Sequence, residues 1–117
     1  MTPTLQVAIA QFRPRKGDYH GNLARLGGVF AEIDAQQPRP QVLCLPESAL
    51  TGYFLEGGDR EHAVTAGTLA ADLQRTYRTA VSGDGALDVV IGFYESWNGK
   101  LYNSVAYVTL GAAEPVI

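Results

Sequence analysis

The chain has 117 residues, room for one domain with one modest core. Nine basic residues against twelve acidic ones leave a net charge of −3, and no Lys/Arg cluster stands out, which argues against nucleic acid or an anionic membrane as partner. No apolar run approaches the roughly 20 residues of a membrane helix, and Met1-Thr2-Pro3 lacks the basic and apolar regions of a secretory signal. A cytoplasmic location is therefore the default expectation. The single cysteine, Cys44, allows no internal disulfide and no multi-cysteine metal site. His20 and His62 lack metal-ligand spacing and read as ordinary surface histidines.

Thr4 to Phe12 places Leu5, Val7 and Ile9 on one face and Ala8, Ala10 and Phe12 on the other, which predicts a first strand covered on both sides. Arg13 to Gly17 is a loop, and Asp18 is placed to cap the segment that follows. Leu23, Leu26, Phe30 and Ile33 recur at helical spacing, predicting an amphipathic helix from Tyr19 to about Gln36. Gly27-Gly28 weakens that helix by about 1 kcal/mol per glycine, and the expected gain is closer approach to the strands beneath. Pro38 and Pro40 end it.

Gln41-Val42-Leu43-Cys44-Leu45 has no polar alternation and predicts a central strand of an α/β layer. Strand, helix and strand with short joints imply a parallel crossover. Pro46 removes a ladder donor and stops the pairing, which leaves Glu47 at the rim of the sheet, where α/β enzymes keep their chemistry. Thr51-Gly52-Tyr53 and Gly57-Gly58 call for a sharply turning loop. A helical turn fits Asp59 to about Ala66. A second helix is predicted from about Thr68 to Val81, with Leu69, Leu73, Thr76, Tyr77 and Ala80 inward and Asp72, Arg75 and Arg78 outward.

Ser82-Gly83-Asp84-Gly85 is a turn. Leu87 to Tyr94 then reads as a third strand. Asn98-Gly99 is the pair typical of a tight hairpin, so Leu101 to Leu110 should run back antiparallel. Pro115-Val116-Ile117 looks like the start of a further strand. Two helices cover one face of such a sheet, yet all four strands are apolar on both faces, so a second layer is expected beyond what this chain supplies.

Several side chains are candidates for chemistry. A carboxylate such as Glu47, held at a strand end in a partly desolvated cleft, can act as a general base; it can equally cap nearby backbone amides, and spacing alone leaves both open. Cys44, between Leu43 and Leu45, reads as a small buried hydrophobe rather than a nucleophile. Lys100 reads as a solvated turn residue, and Glu56 and Glu95 as loop charges. Asn103, a polar intrusion in a strand, needs hydrogen-bond partners; tying down the loop that carries Glu47 is the reading favoured over lining a pocket.

Taken in order, these residues resemble the nitrilase superfamily of carbon–nitrogen hydrolases. Leu45-Pro46-Glu47 with Leu50-Thr51-Gly52-Tyr53 is similar to that family's first catalytic motif. Val7-Ala8-Ile9-Ala10-Gln11 resembles its opening strand, Gly17-Asp18 with Gly21-Asn22-Leu23 the start of its first helix, and Gly99-Lys100-Leu101-Tyr102-Asn103-Ser104 its hairpin before the catalytic lysine. The resemblance implies an α/β fold, the first half of an α-β-β-α sandwich with a mixed sheet and two covering helices. It implies cleavage of small amides, N-carbamoyl compounds or nitriles by a Glu-Lys-Cys triad, with Glu47 as base. It further implies Tyr53 near the substrate, Asn103 in support of the site, no cofactor, and pairing of copies in a complete protein.

The family's lysine and nucleophilic cysteine lie beyond the matched motifs, and Lys100 and Cys44 stand at the wrong places to replace them. Residues 1–117 are thus expected to be a partial domain without its C-terminal half, inactive in isolation. The remaining alternatives are the opening of the glutaminase domain of an enzyme such as glutamine-dependent NAD synthetase, and a non-catalytic interaction module.

Overall fold

The computed structural model describes residues 3–53 and 59–117. Glu56 and the Gly57-Gly58 turn lie outside the described residues. In chain order the elements are β1 (Val7–Ile9), α1 (Tyr19–Ala35), β2 (Val42–Cys44), α2 (Asp59–His62), α3 (Ala66–Ala80), β3 (Leu87–Trp97) and β4 (Lys100–Leu110). The strands form one mixed sheet in the order β1-β2-β3-β4, with β1, β2 and β3 parallel and β4 antiparallel to β3.

Local chemistry sets most boundaries. The Asp18 carboxylate accepts a hydrogen bond from the Gly21 amide at 3.0 Å and caps α1. The Thr65 hydroxyl accepts from the Thr68 amide at 3.1 Å, so α3 begins two residues earlier than its apolar periodicity suggests. The β3–β4 turn has Asn98 at φ 51° and Gly99 at φ 74°, the two positive angles that a tight hairpin with right-handed twist requires. The chain's end returns to the sheet as a single antiparallel bridge between Val116 and Thr109.

Register sorts the side chains into two faces. Ala8, Leu43, Val89 and Val108 are aligned across the four strands and face the helices. There they meet Leu23, Leu26, Phe30 and Ile33 of α1 and Leu69, Leu73 and Tyr77 of α3 in one buried cluster. Phe30 and Tyr77 join the two helices edge to face, ring centroids 5.4 Å apart. The next register row, Ile9, Cys44, Val90 and Tyr107, looks the other way. Both faces are apolar, as the sequence implies, but the second is open: Ile9 is 78 % and Val105 71 % exposed.

Four expectations are corrected. The first strand is three residues long and not covered on both sides, because Leu5, Val7 and Ile9 project from the open face at the sheet edge. Cys44 is half-buried on that face rather than enclosed. Gly27 approaches α3, not the strands: a β-carbon there would lie 3.4 Å from Thr76 Cγ2, and one at Gly28 would meet nothing. Asp72 is buried, because Tyr19 of α1 covers it and donates its hydroxyl at 2.7 Å; Arg75 completes the pair at 2.6 Å. Burial and the Asp72 charge together push the Tyr19 phenol pKa well above its usual value.

Asp88 also stands on the open face. Asp88 accepts from the Tyr107 hydroxyl at 2.6 Å and from Thr109 Oγ1 at 2.8 Å, so each carboxylate oxygen has a donor. The hydrogen bond to Asp88, ahead of desolvation, raises the Tyr107 pKa.

Candidate active site

β2 makes its last ladder contact where the Leu45 amide donates to the Val90 carbonyl at 2.9 Å; Pro46 then has no amide to continue. The chain folds at once into a tight turn over the C-terminal end of β2. Ser48 takes the left-handed conformation, φ 52°, and its carbonyl accepts from the amides of Thr51 (3.2 Å) and Gly52 (2.8 Å). Gly52 itself has φ 76°, which explains a glycine four residues after Ser48. Ser48, Ala49, Leu50 and Thr51 are all buried, so this turn is part of the core while Glu47 looks out from it.

The turn that carries Glu47 is held from below and from the side. Gly92 of β3 lies directly under it: a β-carbon on Gly92 would be 2.6 Å from Glu47 Cα and 3.1 Å from the Ser48 nitrogen. The Ala49 amide donates to the Gly92 carbonyl at 3.3 Å. On the other side, Asn22 of α1 donates through Nδ2 to the Leu50 carbonyl at 2.9 Å and to the Arg15 carbonyl at 2.7 Å. The Gly17 amide adds a bond to the Thr51 carbonyl at 2.7 Å. The turn is therefore stitched both to the sheet and to the loop before α1.

At the tip, Glu47 Oε1 accepts from Asn103 Nδ2 at 2.6 Å. Asn103 reaches it from β4, opposite Tyr94 of β3. The Tyr53 phenol also hydrogen-bonds Glu47, and its pKa is raised, by desolvation first and then by the Glu47 charge, with a smaller contribution from Tyr94. Both donors reach a carboxylate that is otherwise exposed, and a carboxylate held in that way has a defined direction while it stays open to a reactant.

The fold thus brings Glu47 and Tyr53, at the turn after β2, together with Asn103 of β4. Neither Cys44, in β2 on the open face, nor Lys100, exposed at the hairpin, bonds to Glu47. Glu95 lies within β3 rather than a loop and accepts from Ser104 Oγ at 2.8 Å. His20 is exposed and His62 half-buried; among the described residues no group of three or more His, Cys, Asp or Glu could hold a metal ion. Among the described residues no helix is long and apolar enough to cross a membrane.

Two residues important to this geometry have no contact assigned to them in the sequence-based reading, although Asn22 stands in a motif of the family resemblance. Gly92, the one glycine inside an apolar strand, carried a signal, since glycine there marks close approach of another backbone. Asn22 carried a fainter one, a polar side chain on the buried stripe of a helix, between Tyr19 and Leu26.

The family model for carbon–nitrogen hydrolases matches residues 6–113. No curated protein sequence matches the chain significantly. Among solved structures, an N-terminal amidase superposes with a TM-score of 0.66 at 20 % identity, over 97 % of this chain and 27 % of that one. A CN-hydrolase superfamily protein from Xanthomonas campestris gives 0.68 at 16 % identity, over 95 % and 39 %. The glutamine-dependent NAD+ synthetase from Acinetobacter baumannii in complex with adenosine diphosphate gives 0.62 at 22 % identity, over 92 % and 19 %. The chain therefore spans well under half the length of each of these relatives. With its mixed sheet, its two long covering helices and a family match over nearly its whole length, the chain belongs to the carbon–nitrogen hydrolase family.

Proposed function

We propose that this chain supplies the general base of a hydrolase that cleaves the C–N bond of small carboxamides or related carbamoyl and nitrile compounds, with Glu47 as that base. The observation that supports this most directly is the site itself. A carboxylate projects from a rigid turn at the end of a parallel strand, oriented by the Asn103 amide and the Tyr53 phenol and open to a reactant. In the reaction the Glu47 carboxylate takes the proton of a thiol, and the thiolate adds to the carbonyl or nitrile carbon. From a carboxamide, ammonia or an amine departs with a proton, leaving an acyl-enzyme; Glu47 then deprotonates the water that releases the acid. Tyr53, beside the carboxylate, is placed to meet the substrate.

The decisive experiment is ammonia release from a panel of amides, carbamoyl amines and nitriles by the product of the complete reading frame, beside its Glu47→Gln variant. The substitution should lower the rate on the order of 10²–10⁴-fold, the usual contribution of a positioned base. Equal rates in the two proteins would refute the assignment. A second reading, in which the site releases ammonia from glutamine for a synthetase, draws on the likeness to glutamine-dependent NAD+ synthetases. Glutamine preferred over every other amide in the same panel would select it.

A further inference from the structure

We propose that Asn22 is a positioning residue for the Glu47 carboxylate; this rests on the reading of Glu47 as base and extends it to a residue on another element. The Asn22 side chain is fully buried near the start of α1. All four of its hydrogen-bonding positions are used. Nδ2 donates to the Arg15 carbonyl at 2.7 Å and to the Leu50 carbonyl at 2.9 Å; Oδ1 accepts from the Arg15 amide at 2.8 Å and from Arg25 Nη1 at 3.2 Å. A carboxamide has two donor hydrogens and two acceptor lone pairs on its oxygen, so only asparagine or a longer glutamine could make this set, and glutamine's extra methylene would displace it.

The consequence for Glu47 is geometric. Leu50 follows Glu47 by three residues, inside a turn that Ser48 closes through its bonds to Thr51 and Gly52. On the sheet side the same turn rests on Gly92 with no room to move inward. Asn22 supplies the opposing constraint, holding Leu50 towards α1, so that the segment between is fixed at both ends. Without that bond the turn can lift from Gly92, and Glu47 Oε1 leaves Asn103 Nδ2. The buried amide thus acts on the carboxylate through backbone, without touching it.

The test uses the product of the complete reading frame and nuclear magnetic resonance of the Asn103 side-chain amide, whose shift reports the bond to a charged carboxylate. Glu47→Ala, which removes the acceptor, defines the unbonded reference. In Asn22→Ala the Asn103 resonance should move at least halfway to that reference. In Ile33→Val, a core truncation about three turns further along α1, it should stay at the wild-type position even though stability falls. A folded Asn22→Ala protein with an unmoved Asn103 resonance overturns the proposal.

Should Asn22→Ala not fold, Asn22→Ser keeps a small polar group at the site and is read against the same two references. The wild-type chain provides an arm that needs no variant. Its Asn22 side-chain amide protons, held by the Arg15 and Leu50 carbonyls on a fully buried side chain, should exchange with solvent at least 100-fold more slowly than those of an exposed asparagine; exchange at the free rate also overturns the proposal. These readouts stand apart from turnover. Loss of the catalytic reading would appear as unchanged ammonia release in Glu47→Gln, and would leave the resonances as described.

Discussion

Replacing Gly92 by alanine tests whether the position of Glu47 is set by close contact with the sheet. The added β-carbon would lie 2.6 Å from Glu47 Cα, 3.1 Å from the Ser48 nitrogen and 3.3 Å from the Glu47 carbonyl carbon. All three are backbone atoms, so no side-chain rotation relieves the contact. Carbon atoms settle about 3.5–4.0 Å apart, so the Glu47 segment must retreat by about 1 Å. That movement stretches the bond from the Ala49 amide to the Gly92 carbonyl, already 3.3 Å, past useful length.

Overpacking of this kind costs about 1–3 kcal/mol, against which alanine recovers about 0.4–1 kcal/mol by restricting the unfolded chain. The net loss is about 1–2 kcal/mol. With a urea dependence of about 1–3 kcal/mol per molar, the unfolding midpoint should fall by roughly 0.3–2 M. Gly28→Ala is the matched comparison, since its β-carbon meets nothing and it sits inside α1; there stability should rise by about 0.5–1 kcal/mol. The Asn103 side-chain resonance should shift in Gly92→Ala and not in Gly28→Ala. A Gly92→Ala midpoint at or above wild type, with that resonance unmoved, would show that the close approach does not constrain Glu47.

Two further outcomes follow from buried groups elsewhere. Ser48 combines a left-handed backbone with a buried hydroxyl that has no hydrogen-bond partner among the described residues; Ser48→Gly should therefore raise stability, by about 1 kcal/mol in urea unfolding, and a loss of that size would mean the hydroxyl is bonded. The Tyr19 phenol is protonated in the fold to a higher pH than its ordinary value of 10.0, so above about pH 10 only the unfolded chain releases this proton. Stability should then fall with rising pH by up to about 1.4 kcal/mol per pH unit. Tyr19→Phe should cost about 1.5–3 kcal/mol at pH 7, the range for a hydrogen bond to a charged group, and should flatten the alkaline slope; an unchanged slope between pH 10 and 11 counts against the Tyr19–Asp72 pair.

Much of the fold was legible in the residues because its signals are local. Asp18 caps α1 through the amide of Gly21, three residues away, and Asn98-Gly99 turns the hairpin by its own backbone preference. The run from Val42 to Leu45, broken by Pro46, places an acid at a strand end without knowledge of any distant contact. The family resemblance extends this, since order and spacing of motifs are also properties of the chain alone.

What the sequence could not decide depends on which distant surfaces meet. Asp72 has the spacing of a solvent-facing residue of α3, yet Tyr19, 53 positions earlier, covers it. Gly27 faces α3 rather than the sheet, because one helical stripe can serve either neighbour and only the packing chooses. Glu47 is the sharpest case. Its place after a buried strand was determined locally, but its direction comes from Asn103, 56 residues away, and its height over the sheet from Gly92. Periodicity and capping act over about one turn of chain and can specify where a carboxylate emerges; where it points is set by side chains that become its neighbours only when the layers assemble.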